Sequence, residues 1–333
     1  MMKRIFFGVV MIVLTLNGMA YGRTYKIAVT PWVGWSSASV AETRGFWKEQ
    51  GINVRVVVCA DNIASQSLFR KKRVDMIFDM IGSAVGMYMR GIPVTIIAET
   101  DWSHGGDKII CRKGTDMAKL KGMNVGVYLN QAPVTYFLNQ YLSTVGLKLS
   151  DVRIVEMETK ALADHFIRER FRCIVCYDPD AIRAEQDGSG NVVATSATYE
   201  GCIPEGIIAT ESVLKDIPRE DLIRIFKGWI RAVRWSREKT NWKEYTEILN
   251  NFTFKCVAPY SEKKLKRMLD AVSIHDVKIL AERNHDRGGL ITYLNGLKVF
   301  LKENKILRKD FDPNEIFDNK VIMEVLEEMK GGK

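Results

Sequence analysis

The chain has 333 residues, with 47% apolar and 27% charged side chains and a formal net charge of +9. These proportions exclude a disordered chain, and the length favours two domains over one. The basic residues are scattered or sit on helix faces, densest at Arg70-Lys71-Lys72-Arg73 and at Lys263, Lys264, Lys266 and Arg267. No basic stripe is interleaved with aromatics, which excludes a nucleic-acid partner.

Met1-Met2-Lys3-Arg4 is a short basic segment, Ile5 to Leu16 is an apolar run, and small residues follow from Gly18 to Gly22. This order reads as a secretory signal peptide over residues 1–22, cleaved after Ala20 or Gly22. The apolar core is too short for a normal membrane span. The mature protein is expected in the periplasm or outside the cell. Its net charge there is +7, because residues 1–22 contain two cations and no acid.

From Tyr25 onward short apolar runs alternate with helical patterns, the mark of parallel βαβ units. Strands are predicted over Lys26–Thr30, Ile52–Val58, Val74–Phe78, Pro93–Ala98 and Lys108–Arg112. Helices are predicted between them over Ser36–Gln50, capped by Ser36 or Ser37, then Ala64–Lys72 and Ser83–Arg90. The pattern begins again with strands at Met123–Val127, Val152–Val155, Cys173–Tyr177 and Val192–Ala194, and helices at Pro133–Val145 and Ala161–Arg170. Ile207–Ala209 is one more extended run, and beyond Glu211 the chain reads as almost wholly helical.

The order predicts an α/β protein of two lobes with a cleft between them. Lobe 1 is discontinuous, 24–110 plus 207–333, and lobe 2 is 114–203. Hinge crossings are expected near 108–113 and 204–209.

Six cysteines stand at Cys59, Cys111, Cys173, Cys176, Cys202 and Cys256. An oxidising compartment permits disulfides, but the sequence leaves their pairing open. Cys173-Ile174-Val175-Cys176 lies in a strand-like run, so its two sulfurs point to opposite faces. Both are read as buried small apolar residues rather than a redox or metal pair.

Several segments resemble, in order, the nitrate/taurine/sulfonate (NitT/TauT) class of ABC-importer solute-binding proteins. They are Ala41-Glu42-Thr43-Arg44-Gly45-Phe46-Trp47, Gln50-Gly51-Ile52-Asn53-Val54, Val74-Asp75-Met76-Ile77, Gly91-Ile92-Pro93-Val94, Ser103-His104-Gly105-Gly106-Asp107, Leu120 to Gly126, and Tyr177-Asp178-Pro179. The resemblance implies the type II periplasmic-binding-protein fold and the role of an exported receptor. Such a receptor captures a small organic solute and delivers it to an ABC permease and its ATPase. A ligand sensor for a membrane signalling partner and a pyrimidine-biosynthesis-like enzyme share the fold. No catalytic set, cofactor or metal site is legible here, so a binding protein is expected rather than an enzyme.

In open α/β sheets ligands sit beyond the carboxyl ends of the strands. Four loops qualify. The first supplies Trp32, Trp35 and Ser36, two indoles for stacking and a hydroxyl at a helix start. The second supplies Asp79 and Ser83, and the third Ser103 and Asp107 around His104. The fourth supplies Gln131, Ala132 and Thr135 at a helix N-terminus, with Asp178 and Glu205 closing the rim. No lysine or arginine stands in these loops. A buried anion beside so many acids is costly, so a neutral or amine-bearing ligand is expected over nitrate or sulfate.

Overall fold

The computed structural model describes residues 22–257 and 259–331, so the expected signal peptide lies outside the described residues apart from Gly22. Among the described residues eleven strands form two sheets. They are β1 (Thr24–Val29), β2 (Asn53–Val58), β3 (Met76–Met80), β4 (Val94–Ser103), β5 (Asp107–Arg112), β6 (Asn124–Val127), β7 (Arg153–Glu156), β8 (Cys173–Tyr177), β9 (Gly190–Thr195), β10 (Pro204–Thr210) and β11 (Val272–Ile274).

The first sheet has the order β11-β4-β10-β3-β1-β2 and the second β7-β6-β8-β5-β9. β1, β2 and β3 run parallel, whereas β10 runs antiparallel to both β3 and β4. In the second sheet β6 is parallel to β7 and β8, and β5 is antiparallel to β8 and β9.

The alternation of side chains along each strand explains why these runs are apolar throughout. Ile27, Val29, Met76 and Phe78 face one core with Trp47, Phe226 and Trp229. Ala28 and Ile77, one residue out of step, face a second core with Ile81, Val85, Leu290 and Phe300. The second sheet repeats this, with Ile109 and Val175 on one face and Ile110 and Ile174 on the other. Helices therefore cover both faces of both sheets, which is what parallel βα units require.

The chain passes from the first sheet to the second between Ser103 and Asp107, and returns between Thr195 and Pro204. The expected crossings near 108–113 and 204–209 fall instead within or beside β5 and β10. Each crossing precedes the strand that had been read as the connector. Ser103 ties the two passages together: its hydroxyl lies 2.9 Å from Ser196 Oγ and accepts from Asp107 N at 3.0 Å.

Three local readings are corrected. The helix expected over Ser36–Gln50 is two helices, Ser36–Thr43 and Phe46–Glu49, because Gly45 turns left-handed at φ 72°. Neither Ser36 nor Ser37 caps the first of these, since its cap position is Trp35. The helical C-terminal region also contains β11, a strand of three residues and too short to declare itself by periodicity.

Cys111 and Cys173 are partners in the β5–β8 register, with Cα atoms 4.1 Å apart, and form a disulfide. Cys173 is therefore not the free apolar residue expected. Cys176 lies free and buried on the opposite face, as the strand geometry of that run dictates.

Candidate ligand-binding site

The carboxyl ends of β1, β3, β6 and β8 meet β10 and the start of β5 around a buried cavity between the sheets. Thr30, Trp32, Trp35, Asn62, Met80, Asp107, Tyr128, Tyr177 and Glu205 line it. Four of these residues carry aromatic rings, two are acids, and none is a lysine or arginine. In this closed arrangement the cavity holds about 30 Å³, enough for a water molecule but not for an organic solute. An outer hollow of about 430 Å³ opens beyond Tyr177, between Pro31, Phe254 and Tyr260 on one side and Glu158, Pro179 and Arg183 on the other. Arg267, on the helix Glu262–Leu269, forms an ion pair with Glu185, on the helix Asp180–Gln186.

The walls are set by close packing around Trp32. Its indole Nε1 donates to Glu205 Oε2 at 2.6 Å, and its ring meets Tyr177 edge-on at 6.0 Å. Tyr177 in turn meets Tyr128 edge-on at 4.8 Å. Two glycines make this possible. A Cβ at Gly34 would stand 2.1 Å from Asp101 Oδ2 and 2.6 Å from Trp32 Nε1, and one at Gly106 would stand 2.4 Å from Trp32 Cη2. Trp35 leans on Phe78 at 6.3 Å, and its buried Nε1 has no partner.

The acids divide by their partners. Asp178, expected at the rim, is ion-paired with Lys108 at 2.5 Å and does not line the cavity. Lys108, on β5, is the cation that the loop sequences did not reveal. Asp107 accepts from Tyr128 Oη at 2.6 Å, and burial raises its pKa despite that bond. Glu205 and Asp101 are direct cross-strand partners. Burial and the neighbouring charge of Asp101 push the Glu205 carboxyl well above its ordinary value. Burial also raises Asp101, although hydrogen bonds with Glu205 and Thr100 oppose this.

Of the residues singled out in the sequence, Trp32, Trp35, Asp107 and Glu205 come together on the cavity. The others lie elsewhere. Ser36 Oγ is held by Val33 O at 2.5 Å and Tyr245 Oη at 2.7 Å. Ser83 is buried with its hydroxyl unpartnered, and Ser103 is bound up in the crossing. Gln131 and Ala132 lie at a helix start, and the Thr135 hydroxyl donates to Gln131 O at 3.0 Å. Met80, Tyr128 and Tyr177 were missed, though each sits at or just past a strand's carboxyl end, where the ligand rule points. Thr30 and Asn62, bonded at 3.2 Å, carry no signal beyond their loop positions.

Asp79 faces away from the cavity. It accepts from Gln66 Nε2 and Met80 N, each at 2.8 Å, and burial raises its pKa to about 7. A carboxyl raised on folding binds its proton more tightly in the folded state. It therefore favours folding at low pH, and stability falls as pH rises from about 4 to about 7. Asp79→Asn removes that loss. Between pH 5 and pH 8, urea denaturation of the variant is expected to show a decline smaller than wild type by roughly 3 kcal/mol.

A wider groove of about 570 Å³ lies at the other end of β4, lined by Thr95, Glu211, Asp286 and Lys320 among others. It is open and lies away from the carboxyl ends of the parallel strands. Among the described residues no group of three or more His, Cys, Asp and Glu side chains is arranged to hold a metal, and no helix is long and apolar enough to cross a membrane.

Two α/β lobes joined by two crossings, with a closed cleft at the carboxyl ends of the strands, define the periplasmic-binding-protein fold. Solved structures share it. The periplasmic nitrate-binding protein NrtA from Synechocystis PCC 6803 aligns with TM-score 0.72 at 12% identity, over 92% of this chain and 89% of that one. The periplasmic aliphatic sulphonate binding protein SsuA from Escherichia coli aligns with TM-score 0.71 at 12% identity, over 89% and 97%. The ligand-binding component of an ABC-type import system from Staphylococcus aureus, with zinc bound, aligns with TM-score 0.70 at 12% identity, over 91% and 99%. The sequence profile of the NMT1-like family matches residues 21–250, and the chain belongs to that family. No curated protein matches.

Proposed function

We propose that the protein is the exported solute-binding receptor of an ABC importer, and that it captures a small amine-bearing organic solute in the interlobe cavity. One observation carries the choice of solute: the cavity lining combines four aromatic rings with the carboxyls of Asp107 and Glu205 and holds no lysine or arginine. Aromatic faces attract cations, and buried carboxyls require one. An anion would meet Glu205 and Asp107 with no cation to offset them, because Lys108 is engaged by Asp178.

Entry requires the lobes to part, since the closed cavity has room only for water. The passages Ser103–Asp107 and Thr195–Pro204 are the hinge in this reading, and the Arg267–Glu185 ion pair bridges the two lobes in the closed form. Closure then presents one continuous surface to the permease. A fold neighbour that bears the name of a ligand-binding component of an ABC-type import system supports the transport role.

A thermal-shift panel tests the reading. Alkylamines, quaternary ammonium ions and amino-substituted heterocycles are expected to include compounds that raise the melting temperature. Nitrate, sulfate and alkanesulfonates are expected to leave it unchanged. Stabilisation by the anions alone would reject the proposed solute class.

A further inference from the structure

We propose that Asp101 and Glu205 select solutes by charge through exchange, the solute cation taking the place of the proton that the two carboxyls share. Each capture then converts a Glu205 carboxylic acid into a carboxylate paired with the bound cation, and one proton passes to the solvent. The inference rests on the cationic reading of the cavity given above.

The geometry supplies the reasons. Asp101 and Glu205 face each other across the β4–β10 register, and both are buried, at 0% and 4% exposure. Asp101 Oδ1 accepts from Thr100 Oγ1 at 2.7 Å, while Asp101 Oδ2, enclosed beside Gly34, receives no donor from any other group. A buried carboxylate oxygen without a donor is costly. A proton on Glu205 provides that donor. Trp32 Nε1 binds the other side of Glu205, at Oε2, and leaves the carboxyl reachable from the cavity it lines.

Among the described residues, no cation around the pair can substitute for the proton. From the C-terminal region, Arg283 and His275 are both committed to Glu99. From β5, Lys108 is committed to Asp178, and Asp107 is itself an acid bonded to Tyr128. Tyr177 faces the same cavity as a neutral phenol. Two carboxyls in contact cannot both ionise in a dry site unless a positive charge arrives. Only Glu205 lines the cavity, so the arriving solute meets the proton-bearing member of the pair and Asp101 acts from behind it. Binding is thereby linked to pH, with affinity rising about tenfold per pH unit wherever the free pair holds its proton.

Isothermal titration calorimetry with tetramethylammonium and choline tests this directly, because neither ion can lose a proton of its own. Titrations at pH 6.5 are run in phosphate and in a buffer of large ionisation enthalpy. The heats are expected to differ by about one proton released per cation bound. In Asp101→Asn, the amide donates to Glu205 and leaves it ionised, so the difference in heat between the two buffers is expected to vanish. Binding to the wild type with equal heats overturns the exchange and leaves the cationic reading standing. No binding of either ion at any pH from 6 to 9 overturns both.

Discussion

Glu205→Gln is expected to lower affinity for the amine-bearing solute about a hundredfold, roughly 3 kcal/mol, with little change in melting temperature. The two effects separate because, in the proposed exchange, the free site holds Glu205 in its neutral form. A glutamine amide reproduces that form, donating to Asp101 Oδ2 and accepting from Trp32 Nε1, whose bond to Glu205 is 2.6 Å long. What the glutamine lacks is the ability to become an anion when the cation enters. Calorimetric titration beside thermal melting distinguishes this from a structural role, in which both quantities would fall together.

Arg283→Ala is expected to cost about 3–5 kcal/mol of stability, read from urea denaturation. Glu99 is completely buried on β4 and accepts from Arg283 Nε at 2.7 Å and Nη2 at 3.0 Å, with His275 Nε2 at 2.9 Å. Removing the guanidinium leaves a buried charge without its main partner, which costs more than the pair itself contributes. The same arginine lies over Trp102 at 4.8 Å, so apolar packing is lost as well. Asn284 adds two bonds to the backbone of Glu99, at 2.7 Å and 2.9 Å. Together these join the C-terminal region to the strand that carries Asp101. Removing both charges, Glu99→Gln with Arg283→Met, is expected to recover much of the loss.

The βα alternation made the two-sheet architecture legible, because strands covered on both faces are apolar along their whole length and glycines mark the helix ends. Cys173–Tyr177 was read with the correct bounds for this reason. The crossings were displaced because β4 runs on to Ser103, and four of its last five residues, Glu99, Thr100, Asp101 and Ser103, are polar. Glu99 is paired by tertiary partners from the C-terminal region, Arg283, His275 and Asn284, and Ser103 by Ser196, which no local pattern reveals.

The site was legible where chemistry and position coincided. Trp32, Trp35, Asp107 and Glu205 are large or charged groups near strand ends. Ser36, Ser83 and Thr135 carry suitable hydroxyls, but they lie in the helices that follow the strands and face inward there. Asp178 depends on Lys108, which stands on a neighbouring antiparallel strand, and only the sheet order brings them together. Asp101 was passed over because its importance comes from the β4–β10 register rather than from its own surroundings in sequence.

A crystal structure with the amine that gives the largest thermal shift is the most direct test of a cation-binding cleft. The expected result is solute density enclosed by Trp32, Trp35, Tyr128 and Tyr177, with its nitrogen about 3 Å from a Glu205 oxygen. Density in the groove lined by Thr95 and Lys320, or a solute in the cleft with its nitrogen turned away from Glu205 and Asp107, would contradict it.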